Sequence, residues 1–262
     1  MIEANAVLAA VGATLAVFLI AWAVTAAIND LTPLDSFWGL APIAGAWAGA
    51  LHDGALTTSE KLAASITTVW GARLAAYLFA RWRRHGGEDP RYASMRRNAG
   101  PGFRLRALWS VVGLQACLSL IVCLPIYAAL LFNGVEPAPI GWALAGLALL
   151  GVLIETTADS QLAAFKADPA NAGKTLTSGL WGLSRHPNYV GEILFWAGFA
   201  GLAATLGGWW ALASPLLVTA LLMRWSGAPL VERRMLRTRS DYADYAARIG
   251  FLPFLTPKKE KP

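Results

Sequence analysis

Long apolar runs recur along the chain, separated by short polar stretches. They fall at residues 4–28, 36–51, 62–80, 107–132, 139–158, 189–206 and 209–223. A helix needs about 20 apolar residues to cross the hydrocarbon core, so the second and last runs are short for a full crossing. Leu206-Gly207-Gly208 is all that separates the last two. None shows the strict alternation of a barrel strand, and backbone groups cannot stay unpaired in lipid. The pattern predicts an all-α, polytopic transmembrane helical bundle of about seven spans, with six as the alternative count. Met1-Ile2-Glu3-Ala4-Asn5 lacks a basic flank, so the first run reads as a spanning helix rather than a cleavable leader.

Composition supports that class. Of 262 residues, 56% are hydrophobic and only 15% charged, and mean hydropathy is +0.48; a soluble domain of this length rarely reaches such values. Cys117 and Cys123 share one apolar run, and six residues of helix separate their Cα atoms by about 9 Å, beyond disulfide reach. Three histidines and two cysteines form no ligand spacing, so no metal site is expected.

Charge orients the bundle. Residues 81–106 carry eight arginines, the loop 159–188 adds Lys166, Lys174 and Arg185, and the segment after Met223 is rich in Arg and Lys. The connections 133–138 and 207–208 carry no positive charge. With seven spans the basic loops share one side, which places the N-terminus outside and the C-terminus in the cytoplasm. Topology and contact with anionic lipid account for part of this charge. The chain reads as a single transmembrane domain over 1–257, with its polar chemistry on the cytoplasmic face and a solvated charged tail at 258–262.

Several polar elements look chemical. Glu155 and Asp159 are i and i+4 neighbours, with Lys166 two turns further along the same stripe; a self-contained acid–lysine network is the bland alternative. Ser184-Arg185-His186-Pro187-Asn188-Tyr189-Val190-Gly191-Glu192 leads from a turn into an apolar run. Arg185 offers a planar fork suited to phosphate, and Asn188 and Glu192 can hydrogen-bond a base or ribose; an interfacial belt is the plainer reading. Arg224 ends the last span and can equally be a snorkelling terminator. Residues 241–248 read as a short amphipathic surface helix. Asp35 opens the second span, where an N-cap role is the ordinary one, and Trp70 and Arg73 lie one turn apart within the third.

In this order the elements resemble the C-terminal half of the steroid 5α-reductase family, its bacterial members in particular, over residues 151–254. The family's Asn, Asp and basic positions correspond to Glu155, Asp159 and Lys166, with Glu in place of Asn. Its Asn-aromatic-x-Gly-Glu with a Trp four residues on is matched by Asn188, Tyr189, Gly191, Glu192 and Trp196. Arg224 matches the Arg that ends its last span, and the family's downstream Tyr falls near Glu232. The resemblance implies a seven-helix reductase that binds NADPH and reduces an enone C=C in a lipophilic, steroid- or isoprenoid-like substrate entering from the bilayer. Asp35 and Trp70 fall, by spacing alone, where animal members hold the substrate carbonyl with a Gln-Glu pair and a Tyr; the Tyr itself has no match. Asp35, held protonated, is the expected acid. The implied cofactor set is Arg73, Glu155, Asp159, Lys166, Arg185, His186, Asn188, Tyr189, Glu192, Trp196 and Arg224, and the implied location is a bacterial inner membrane.

Arg185-His186-Pro187-x-Tyr189-x-Gly191 also resembles a segment of the isoprenylcysteine carboxyl methyltransferases, which bind S-adenosylmethionine. Asp159 with Lys166, Asn188, and Glu192 with Trp196 favour the reductase. A lipid-binding scaffold is the non-enzymatic alternative. The basic loops are short and flank the membrane, so nucleic acid is not an expected partner.

Overall fold

In the computed structural model, which describes residues 4–225 and 227–253, about 80% of the chain is helical and no strand occurs among the described residues. The α-helices are α1 (Ala4–Ile28), α2 (Phe37–Ala50), α3 (Thr58–His85), α4 (Pro90–Ala99), α5 (Phe103–Ala107), α6 (Leu114–Val122), α7 (Leu124–Leu131), α8 (Pro139–Ala167), α9 (Pro187–Thr205), α10 (Ala213–Ala220), α11 (Ala228–Thr238) and α12 (Tyr242–Arg248). The charged tail 258–262 lies outside the described residues. Five stretches among them are long and apolar enough to cross a membrane: Ala4–Ile28, Thr58–Arg84, Phe103–Val122, Pro139–Ala167 and Trp209–Thr238. That is the signature of an integral membrane protein.

Helix ends follow local chemistry. α3 starts four residues before the apolar run because Thr57 and Glu60 form a capping box, each satisfying the other's orphan N–H. The run at 107–132 is not one helix. A π-helical turn, Leu108–Gly113, joins α5 to α6, and the chain breaks at Cys123 before α7, which opens with Pro125 in its first turn. Proline has no N–H to continue the ladder. Cys123 is buried at that break, and Cys117 is exposed.

Two compact units divide the chain: residues 1–143 with 199–214, and residues 144–198 with 215–262. In the first, α1 buries Ala6, Ala10, Thr14, Phe18, Ala21 and Thr25, a stripe at helical spacing. Along that stripe α2 lies close. A Cβ on Gly45 would come 2.9 Å from Ala10 O, and one on Gly49 2.9 Å from Ala6 O. Its other side meets α3, where Gly39 and Gly71 face each other backbone to backbone. Small residues on both sides let a 14-residue helix sit between two longer ones. Beside this packing Phe18, Leu34, Phe103, Val111 and Val112 form a core with Tyr92.

In the second unit, α8 and α9 also meet at glycines. A Cβ on Gly151 would fall 2.5 Å from both Gly191 O and Phe195 N, and one on Gly191 would fall 2.7 Å from Glu155 N. One turn either way along this crossing lie the polar residues that matter below.

Candidate functional site

The crossing of α8 and α9 buries two carboxylates. Glu155 and Asp159 are 7% and 6% exposed. Buried acids are costly unless something hydrogen-bonds them. Asn188 Nδ2 donates to Asp159 Oδ1 at 3.3 Å, and Trp196, fully buried, donates its indole N–H to Glu192 at 2.9 Å. The Asn188 carbonyl oxygen is itself buried and accepts no hydrogen bond among the described residues. A buried acceptor without a donor is uncommon in a native fold, which makes this atom a place for a ligand donor. Four members of the expected set, Asp159, Asn188, Glu192 and Trp196, are thus tied in two pairs at or near this crossing. Lys166 is in the last turn of α8, and Lys166 and Arg224 are exposed.

Arg185 and His186 do something else. Arg185 Nε donates to Glu232 at 2.9 Å, Nη1 donates to Ala246 O at 2.9 Å and Ile249 O at 3.2 Å, and its backbone N–H reaches Gly250 O at 2.9 Å. His186 Nε2 lies 2.8 Å from the same Glu232 oxygen, and its ring stacks on Tyr189 with centroids 5.0 Å apart. Ser184 Oγ bonds to Phe251 O and accepts the His186 backbone N–H at 3.1 Å. These bonds dock α12, whose Tyr242 and Tyr245 are buried. Tyr245 donates to Trp181 O at 2.6 Å; burial pushes its hydroxyl pKa up to about 12. The amphipathic helix expected at 241–248 is present as Tyr242–Arg248, and the Arg-His pair is its clasp. The guanidinium fork read as a phosphate grip faces a carboxylate and two carbonyls instead.

In the first unit the site forms around Asp35, which is not an N-cap. Residues Thr32–Ser36 make a 3-10 turn, and no side-chain bond caps α2. The carboxylate instead receives the Tyr92 hydroxyl on Oδ1 at 2.5 Å and Arg91 Nη2 on Oδ2 at 3.0 Å, with Arg81 at 3.6 Å. Gln115 donates to the Tyr92 oxygen at 3.1 Å and accepts Trp38 Nε1 at 2.9 Å. Tyr92 is 3% exposed, and burial first, then the Asp35 charge, raise its pKa. It remains a proton donor throughout the physiological range. Trp70 is buried in α3, one turn from Arg73, whose Nε and Nη2 are enclosed.

A second network braces this cluster. Arg96 grips both Glu88 oxygens, at 2.7 and 2.9 Å, and also reaches Asn29 Oδ1 at 2.8 Å. Asn29 holds a left-handed φ of 56°, which Asn tolerates better than most residues. Thr32 Oγ1 accepts Asp89 N–H at 2.7 Å, and Trp82 donates to Asp30 at 2.8 Å. The Arg96 bonds hold Glu88 below the usual carboxylate range.

Sequence reading found Asp35 but missed Tyr92 and Gln115. Asp89-Pro90, a cap followed by a first-turn proline, does mark the helix that carries Tyr92. Glu232 was noticed only as a mismatch, and its role depends on Arg185.

Among the described residues, no group of three or more His, Cys, Asp or Glu side chains could hold a metal ion. Comparison with known families matches residues 21–249 to the family described as protein of unknown function (DUF1295), and the chain belongs to it. No curated protein matches the chain.

Proposed function

With membership of that family as the premise, we propose that the protein is an integral-membrane, NADPH-dependent reductase of an activated C=C bond in a lipophilic substrate. The family is typically related to steroid 5α-reductase-like membrane proteins. The observation that carries the reading is the buried, donor-seeking Asn188 oxygen beside Asp159, at positions that match the reductase pattern residue by residue.

The second unit's residues fit a dinucleotide in part. Asn188, Asp159 and Glu192 offer the acceptors that a nicotinamide amide or ribose hydroxyls need. Lys166 and Arg224 are the exposed cations of the expected set suited to phosphate. Arg185 and His186 belong to the clasp and hold α12 in place, so this reading gives them a positioning role. When bound, NADPH would supply a hydride.

In the first unit the proposal gives the acid's role to Tyr92. Asp35 accepts on both oxygens, so its task is to orient the hydroxyl. Tyr92 keeps its one proton because its pKa is raised. That proton is hydrogen-bonded to Asp35 here, and in the proposed reaction the substrate carbonyl oxygen takes it over from the carboxylate as enolate charge develops. Gln115 and Trp38 fix that hydroxyl from the other side. Seven spans, with the basic loops in the cytoplasm of a bacterial inner membrane, complete the proposed topology.

The first test is to purify the protein in mild detergent, denature it, and identify any released small molecule by mass spectrometry. NADPH or NADP supports the reading. Release of S-adenosylmethionine or its demethylated product, with no response to NADPH on titration, replaces it with a methyltransferase.

A further inference from the structure

Residues 90–135 contain five arginines and no Asp or Glu. Two of the five are neutralised from outside the segment: Arg96 by Glu88, and Arg91 by Asp89 and Asp35. Arg97, Arg104 and Arg106 are exposed and form no ion pair among the described residues. Where the segment folds back on itself, α4 and the start of the Phe103–Val122 stretch border a shallow, open groove lined by Met95, Asn98, Phe103, Arg106, Trp109 and Ser110 among others.

The groove has two chemistries. Arg106 and Asn98 give it hydrogen-bond donors and one uncompensated positive charge, while the Ser110 hydroxyl at its edge donates to Arg106 O at 2.9 Å. Arg106 is held across it, with Nη1 on Ala99 O at 2.9 Å, so its guanidinium is placed rather than free to swing away. Met95, Phe103 and Trp109 give it an apolar wall, on which Trp109 is 74% exposed and Met95 47%. The π-helical turn Leu108–Gly113 carries both Trp109 and Ser110 on this side; such turns often mark functional positions. Beyond it the same stretch exposes Leu114 and Ile121, as a lipid-facing span does. Arginine and tryptophan at the end of a span occupy the headgroup level of a bilayer.

We propose that this groove is a binding site for an anionic phospholipid, with the phosphate on Arg106 and Asn98 and the upper acyl chain against Trp109 and Met95. Charge chooses the occupant: the unpaired arginines favour a lipid with a net negative headgroup over a zwitterionic one. This site is independent of the reductase reading, since its residues are in neither proposed set.

The test uses the full-length protein in mild detergent, titrated with phosphatidylglycerol or with phosphatidylcholine of the same chains, with bound lipid counted by native mass spectrometry. Phosphatidylglycerol is expected to be retained over phosphatidylcholine by about fivefold for each arginine it engages. Arg106→Gln should bring the ratio close to one, whereas Arg237→Gln, at another exposed arginine in α11, should leave it unchanged. Ser110→Asp, which places a carboxylate in the groove, provides a second variant should Arg106→Gln fold poorly, and the same loss is expected. Equal retention of the two lipids by the native chain overturns the proposal. So does displacement of the lipid by millimolar inorganic phosphate, which would mark a free-phosphate site, or a lipid-free dimer broken by Trp109→Ala, which would make the occupant a second copy.

Discussion

Tyr92 and Asp35, 57 residues apart in sequence, meet in a hydrogen bond of 2.5 Å, with the tyrosine 3% exposed and the carboxylate also paired to Arg91. A hydroxyl so placed does not ionise easily, and its one proton stays hydrogen-bonded to Asp35 until another acceptor replaces the carboxylate.

Tyr92→Phe removes the proposed donor and leaves the ring packing. Turnover of an enone substrate should fall by about 10²–10³, the usual loss for one oriented donor to a developing oxyanion, while NADPH affinity stays unchanged. The comparison is kcat against cofactor Kd in the same preparation; an undiminished kcat removes Tyr92 from the chemistry.

Asn188→Ala and Asp159→Ala each break one buried pair at the α8–α9 crossing. NADPH binding, followed by nucleotide fluorescence, should weaken at least tenfold, about 1.4 kcal/mol. The folded yield should hold. Native affinity in both variants ends the site assignment.

Glu232→Gln loosens the clasp that Arg185 and His186 close on α12. Charged hydrogen bonds of this kind contribute about 1.5–3 kcal/mol, so the melting temperature should drop and proteolysis within 242–248 should speed up. If protease resistance is unchanged, the clasp contributes nothing to the docking of α12.

Glu88 has a folded pKa below its ordinary 4.5, chiefly because Arg96 donates to it. A depressed carboxylate contributes its stability above the unfolded value and loses it as pH falls through the folded one. The melting temperature should therefore hold from neutral pH to about 4.5 and decline below, and Glu88→Gln should flatten that decline. An acid slope identical in the variant would assign the transition to another carboxylate.

Gly191→Val puts methyl groups where even a Cβ would come within 2.6 Å of Gly151 O. Backbone cannot yield as a side-chain end can, so overpacking should cost about 1–3 kcal/mol or more. Recovery of monodisperse protein on size exclusion is the readout; a normal yield would show that the two helices can part.

The helices were largely legible because crossing a bilayer demands long apolar runs, and 4–28 coincides with α1 to the residue. Local chemistry that interrupts an apolar run was harder to read. Pro125, with no N–H, marks the break at Cys123, but no residue marks the π-helical turn Leu108–Gly113 in the same way. Side-chain partners were least accessible. Nothing near Asp35 names Tyr92 or Gln115, because the pairing arises from how α4 and α6 return to the start of α2. For Arg185 the residue type predicts a fork for an acidic group, and Glu232, 47 residues on, occupies that fork; only the fold decides between an internal carboxylate and an external phosphate.

The same clasp imposes an order on synthesis. Ser184 bonds to a carbonyl 67 residues downstream, at Phe251, and Arg185 to one at Gly250. A ribosome that has just completed α9 therefore holds a nascent chain whose preceding loop has no docking partner yet. Until residues 232–251 have been made, Ser184, Arg185 and His186 lack the groups that close on them.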